Sequence, residues 1–132
     1  MDLRDLSLLN REYDVVVLNR CLQFFPDPES ALRDAQRRVA ADGLLIVTGL
    51  DFFRWSLRKR RAVERLRRRH RERHGRDLFL YPTRGWLDFE DRRRFRELGL
   101  RIRQVRQLRS LNLLSRVRPD RPLFCYGFWP AV

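Results

Sequence analysis

Lysine is almost missing from this sequence. Of the 30 basic residues among its 132, only Lys59 is not an arginine. So extreme a bias resembles GC-rich codon usage filling solvent positions with arginine, and it weakens any argument from arginine alone. Glycine is scarce as well: there are six, and no two lie closer than six residues. That spacing excludes a Walker loop, a Gly-x-Gly-x-x-Gly turn and any close relative of either. Cysteine is limited to Cys21 and Cys125, one near each end. Two unclustered thiols predict buried free cysteines in a reducing compartment, hence a cytoplasmic protein. Neither has the helix-start or Cys-x-x-Cys context of a nucleophile. The longest nearly apolar run, Gly43 to Leu50, falls far short of the roughly 20 residues a membrane span needs. Met1-Asp2-Leu3-Arg4-Asp5 has no basic segment leading into an apolar stretch, so no secretory signal is expected.

What is present is enough apolar material, 43%, for one domain with a modest core. The net charge of +13 is concentrated: Arg54 to Arg76 holds eleven arginines and Lys59 against Glu64 and Glu72, a net +10. A solvated helix is the plainer reading. An anionic substrate, an acidic membrane surface or nucleic acid are the partners such a stripe attracts. A reader of single-stranded nucleic acid interleaves aromatics with its cations. Here Trp55 opens the stretch and no aromatic follows until Phe79.

The order of elements is legible. Tyr13 to Leu18 is a β-branched run with the pattern of a strand buried on both faces. Pro26-Asp27-Pro28-Glu29 is a helix start, with Leu32, Ala35 and Val39 on one face and Glu29/Arg33 and Asp34/Arg38 as surface pairs. Asp42-Gly43 is expected to end that helix in a left-handed cap, before a second buried strand from Leu44 to Thr48. Phe52 to about His74 reads as a helix with a narrow stripe of Trp55, Ala62, Val63 and Leu66. A loop carrying Phe79, Tyr81 and Trp86 follows. Asp88 starts a helix with Phe95 and Leu98 inward and Gly99 at its end. Leu100 to Leu108 reads as a half-exposed strand, then a link, then a buried strand from Leu123 to Trp129. The last two strands, joined without a helix, must be antiparallel if they pair. The class is α/β.

Asp2-Leu3-Arg4-Asp5-Leu6, Tyr13-Asp14-Val15-Val16-Val17, Asn19, Leu22, Pro26-Asp27-Pro28, Leu32 and Asp42-Gly43 together resemble the second half of class I S-adenosylmethionine-dependent methyltransferases, especially the type 11 and type 12 families. The resemblance implies a partial Rossmann-like sheet, its strands equivalent to the fourth to seventh and the last antiparallel, with helices on its faces. It implies one incomplete domain over residues 1–132, with 50–87 a basic helical insert where the family often carries substrate caps. The family's glycine-rich turn and the acidic residue after its second strand have no counterpart here, so a truncated C-terminal part is expected. Gln23-Phe24 replaces a common histidine, and Ala41-Asp42-Gly43 replaces a Pro-Gly-Gly turn.

By the same resemblance the cofactor is S-adenosylmethionine, with Asp2 accepting from its adenine amino group and Leu3 offering a backbone N–H to the ring. Asn19 and Arg20 would border the methionine and methyl group, where open α/β sheets bind ligands. The implied activity is methyl transfer to a small-molecule or lipid-like acceptor. The alternatives are a basic module for nucleic acid or an anionic surface, and an inactive remnant or subunit completing its sheet with another chain. The family order leaves Tyr13 to Leu18 beside a missing first strand, so self-association through that strand is expected. His70 and His74 are four apart but lack the Glu of a zincin pattern, and the surrounding arginines disfavour a dication. Phe79, Tyr81 and Trp86 either line an acceptor pocket or pin the loop to the core. If the basic stretch is only a solvated helix, the triple change Arg67→Gln, Arg68→Gln, Arg69→Gln leaves the thermal melt unchanged, because exposed charges contribute little. If instead the stretch grips polyanions, heparin retention falls and binding weakens steeply with salt.

Overall fold

The computed structural model describes residues 11–130. Strand β1 (Tyr13–Asn19) leads through a 3-10 turn (Leu22–Phe24) to helix α1 (Pro28–Gln36). The helix starts where its chemistry requires. Asp27 Oδ1 accepts from the backbone N–H groups of Glu29 (3.1 Å) and Ser30 (3.2 Å), and Pro28 fills a first-turn position that needs no donor. The Ser30 hydroxyl donates to Asp27 Oδ2 at 2.7 Å, and these bonds hold the Asp27 carboxyl below its usual range. Ala31, Leu32 and Ala35 are buried, with Glu29–Arg33 at 3.6 Å and Asp34–Arg37 at 2.8 Å outside. Asp34 thus meets the arginine three residues on.

The helix stops at Gln36, with Arg37 in the right-handed region, so the expected left-handed cap at Gly43 is not formed. Gly43 lies inside strand β2 (Val39–Phe53), which is much longer than Leu44–Thr48. A Cβ on Gly43 would stand 2.8 Å from the Asp14 carbonyl oxygen and 2.6 Å from Val39 Cγ1. Glycine is needed there for the close approach of two strands, not for a positive φ.

After β2 come α2 (Leu57–His74), the short β3 (Leu87–Asp88), α3 (Phe89–Glu97), β4 (Arg101–Gln104), α4 (Arg109–Val117) and β5 (Pro122–Pro130). The sheet order is β1-β2-β5-β4, with β3 alongside the end of β2. β1 and β3 run parallel to β2, and β5 runs antiparallel to both β2 and β4. The class is α/β as expected, and this order, antiparallel at its finish, is compatible with the expected partial Rossmann-like sheet.

Register assigns the faces. Leu18, Val47 and Gly127 share a row, as do Leu50 with Cys125 and Phe52 with Leu123, and all of these are buried. Between Val47 and Leu50 the register shifts, and the buried series passes from Leu45 and Val47 to Leu50 and Phe52. One extra residue at Thr48-Gly49 is what keeps all four on one face. Leu32 and Ala35 of α1 and Phe95 of α3 cover that face, the Phe52 and Phe95 rings lying 6.2 Å apart. The opposite face is thinly covered. Val15 and Val17, paired with Leu44 and Ile46, are 54% and 52% exposed, so the expectation that β1 is buried on both faces fails among the described residues.

The remaining corrections lie in the C-terminal half. Phe52 and Phe53 belong to β2, not to the basic helix, and of the expected stripe on α2 only Val63 is buried. The half-exposed strand is just Arg101–Gln104, followed by a 3-10 turn, and the expected link contains α4, so a helix does join the last two strands. Sequence periodicity misses α4 because its buried side chains are polar. Asn112 Nδ2 donates to the Phe124 carbonyl (3.1 Å) and its Oδ1 accepts from the Phe124 N–H (2.7 Å). It thereby prolongs the pairing of β5 beyond the end of β4. Asn112→Ala removes the partner of the Phe124 N–H, the carbonyl keeping the Val105 N–H at 3.1 Å, and should cost about 1–3 kcal/mol in urea unfolding. Phe95→Ala, which opens a cavity in the core, should cost about 3–5 kcal/mol.

Candidate functional site

β1 and β2 are parallel, and β1 ends with Asn19 beside Thr48 of β2. The Thr48 hydroxyl donates to Asn19 Oδ1 at 2.5 Å, and the Arg20 N–H donates to the Thr48 carbonyl at 3.2 Å. Arg20 then takes φ +51°, a left-handed conformation that a side chain rarely adopts. Facing it, Gly49 has φ +65°, and a Cβ there would stand 2.5 Å from Arg20 Cγ. The bulge glycine makes room for the Arg20 stem. The strand-end turn and the β2 bulge are therefore one interlocked feature.

The chain beyond this turn closes a recess. Gln23 Nε2 donates to the Arg20 carbonyl at 3.0 Å, and the Thr83 hydroxyl donates to the Gln23 carbonyl at 2.8 Å. This bond draws the loop after α2 back over the strand ends. Phe79 anchors it, its ring 5.7 Å from that of Phe24 and beneath the Arg67 guanidinium at 5.6 Å. Of the three loop aromatics, Phe79 thus pins the loop, Tyr81 is half-buried, and Trp86 faces the recess.

Two cavities meet there. One, of about 40 Å³, is lined by Gln23, Gly49, Asp51, Lys59 and Trp86. The other, of about 190 Å³, shares Gln23 and Trp86 and adds Thr83, Arg84 and Arg94. Gln23 Oε1 and Trp86 Nε1 are buried without a hydrogen-bond partner among the described residues, one an acceptor and the other a donor. Buried polar atoms are ordinarily bonded, so both have capacity for a ligand or water. Asp51 is half-buried, and desolvation raises its carboxyl pKa although Arg20 and Lys59 pull the other way. Arg84 is fixed by Asp91, whose Oδ1 and Oδ2 accept from its Nη2 at 2.7 and 2.6 Å. Asp91 also closes a capping box with Asp88 at the start of α3.

Of the residues singled out by resemblance, Asp2 and Leu3 lie outside the described residues. Asn19 and Arg20 stand at the carboxyl end of β1, the Asn19 amide oxygen engaged by Thr48 and the Arg20 side chain exposed. Trp86 was read as a possible pocket residue, whereas Gln23, Asp51 and Lys59 were not read as site residues. One signal was available: Asp51 is the only charged residue from Gly43 to Phe53. The two cysteines are poorly suited to nucleophilic work. Burial pushes the Cys125 thiol up to about 11 and raises that of Cys21 as well. The His70 and His74 rings lie 4.6 Å apart on α2, and among the described residues no three His, Cys, Asp or Glu side chains gather as a metal site. The basic helix is largely solvated, with Arg60–Glu64 at 2.9 Å and Arg68–Glu72 at 3.9 Å along its surface. Among the described residues no helix is long and apolar enough to cross a membrane.

No curated protein matches the chain. Residues 1–47 match the model of a family described as a methyltransferase domain. The described part of that match carries β1, α1 and β2 as far as Val47, the elements that set the Asn19-Arg20 turn beside Thr48. The match spans the N-terminal third of the chain and is what this part of it is similar to.

Proposed function

We propose that the chain supplies the acceptor side of an S-adenosylmethionine-dependent methyltransferase, and that a cofactor-binding half completes its sheet by pairing with β1. The acceptor is a small or lipid-like molecule taken into the recess at the carboxyl ends of β1 and β2. The observation that carries this reading is the state of β1. Within a methyltransferase-like region, it pairs only with β2 among the described residues and leaves Val15 and Val17 about half exposed. Each forgoes on the order of 1 kcal/mol of burial that a neighbouring strand and its helix would restore. The edge has no lysine or proline to discourage pairing.

The described residues do not fit an enclosed cofactor pocket by themselves. Cavities of about 190 and 40 Å³ are below the roughly 300–1,000 Å³ of ordinary ligand sites, and no glycine-rich turn lines them. What they fit is one wall of such a site. The unpartnered Gln23 Oε1 and Trp86 Nε1 would orient a polar acceptor. A hydroxyl acceptor must lose its proton, and a carboxylate with a raised pKa is a suitable base. Asp51 has that property at the recess, with Arg20 and Lys59 steadying its charge.

Calorimetry on the 132-residue chain should detect negligible binding of S-adenosylmethionine, and light scattering at tens of micromolar (the regime of aggregation-prone intermediates) should detect self-association. Adding a glycine-rich methyltransferase half should produce a discrete complex. Micromolar cofactor affinity in a stable, cooperatively unfolding monomer would refute the reading. Asp51→Asn tests the base. A carboxyl held above its ordinary pKa of about 3.9 stabilises the fold while protonated, and that contribution is lost as pH rises through the raised value. The variant should therefore melt higher at pH 7, show no advantage near pH 3, and lose about 100-fold or more of the activity of the completed assembly.

A further inference from the structure

Helix α4 is built inside out. Its buried side chains are Asn112 and Ser115, while Leu111, Leu113, Leu114 and Val117 are 44%, 60%, 37% and 78% exposed. The inner face is polar for a reason already given: Asn112 pairs with the backbone of Phe124, and the Ser115 hydroxyl donates to the Asn112 carbonyl at 2.7 Å. The four aliphatic residues have no such role. They occupy one continuous arc of the helix, turned away from the sheet. α4 packs on β5, towards the opposite side of the sheet from β1, so this face is distinct from the open edge.

Two further features adjoin the arc. Trp55, 66% exposed, is tied to the segment just after α4, its backbone N–H donating to the Pro119 carbonyl at 2.9 Å. Arg58 secures the same junction through Asp120 at 2.7 Å. Apart from Asp120, which Arg58 engages, the charge around the arc is basic. From Leu98 to Pro119 the sequence holds six arginines and no acidic residue. Arg106 and Arg109 line a groove of about 530 Å³ at the start of the helix, and Arg116 and Arg118 flank its end.

An apolar arc, a tryptophan at its border and arginines on its flanks are the attributes of a helix that lies in the plane of an anionic bilayer. A second copy of the chain is a poorer occupant of this face, since it would set Arg106, Arg109, Arg116 and Arg118 of one molecule against those of the other. We infer that the outer face of α4, with Trp55, is a docking surface for an anionic membrane. Its leucines enter the headgroup boundary and its arginines meet lipid phosphates. This docking does not depend on the methyl-transfer reading.

Sedimentation of the full chain with phosphatidylcholine vesicles containing phosphatidylglycerol, against pure phosphatidylcholine, tests it. The chain should partition onto the anionic vesicles, less so as salt rises, with a blue shift in emission that Trp55→Phe removes. The double variant Leu113→Ser, Val117→Ser should keep its thermal melt, because both side chains are exposed, and should bind about tenfold or more weakly. The triple glutamine variant at Arg67, Arg68 and Arg69 should retain most of its partition. Equal binding by the Leu113/Val117 variant and the parent would overturn the inference. So would loss of binding in the α2 variant alone, or self-association abolished by the serines with no partition onto vesicles.

Discussion

Every strand but β4 is registered against one strand, and that strand contains one irregularity. β2 pairs with β1, β5 and β3 along its length, and β4 reaches it only through β5. The extra residue at Thr48-Gly49 keeps the second half of β2 in phase with the core. Without it, Leu50 and Phe52 would turn to the thinly covered face, and the packing of Leu87, Phe95, Leu123 and Cys125 would have no partner. The same glycine admits the stem of Arg20 and so shapes the strand-end turn. A packing requirement and a site requirement thus fall on a single backbone position.

From that bulge the recess follows. Asp51 lies just beyond it, where the strand is still covered by the loop carrying Trp86 and by Lys59 of α2, which is why its carboxyl is partly desolvated. Gln23 belongs to the turn that Arg20 begins. The loop returns to Gln23 through a single side-chain bond from Thr83 and a pair of aromatic rings, Phe24 and Phe79. The exposed parts of the molecule have a complementary logic. α2 buries only Val63 and carries most of the net charge into solvent. α4 turns its polar residues inward because an unfinished stretch of β5 backbone needs partners, and so leaves its leucines outside.

The sequence by itself determined whatever depends on neighbours a few residues apart. The β-branched run of β1, the Asp27-Pro28 start of α1 and the Asp88 start of α3 are local chemistry, and so is the order of most elements. The methyltransferase-like character of residues 1–47 was legible because it rests on a string of spaced residues. Tertiary structure decided what depends on residues far apart in the chain. Gly43 looks like a helix cap until the Asp14 carbonyl is brought against it. Asn112 and Ser115 look like surface residues until Phe124 lies beneath them. Asp51 looks like an ordinary strand-end acid until Arg20, Lys59 and Trp86 surround it. In each case the deciding contact is made by a backbone or side chain from another element, and pairing along β2 is what brings it within reach.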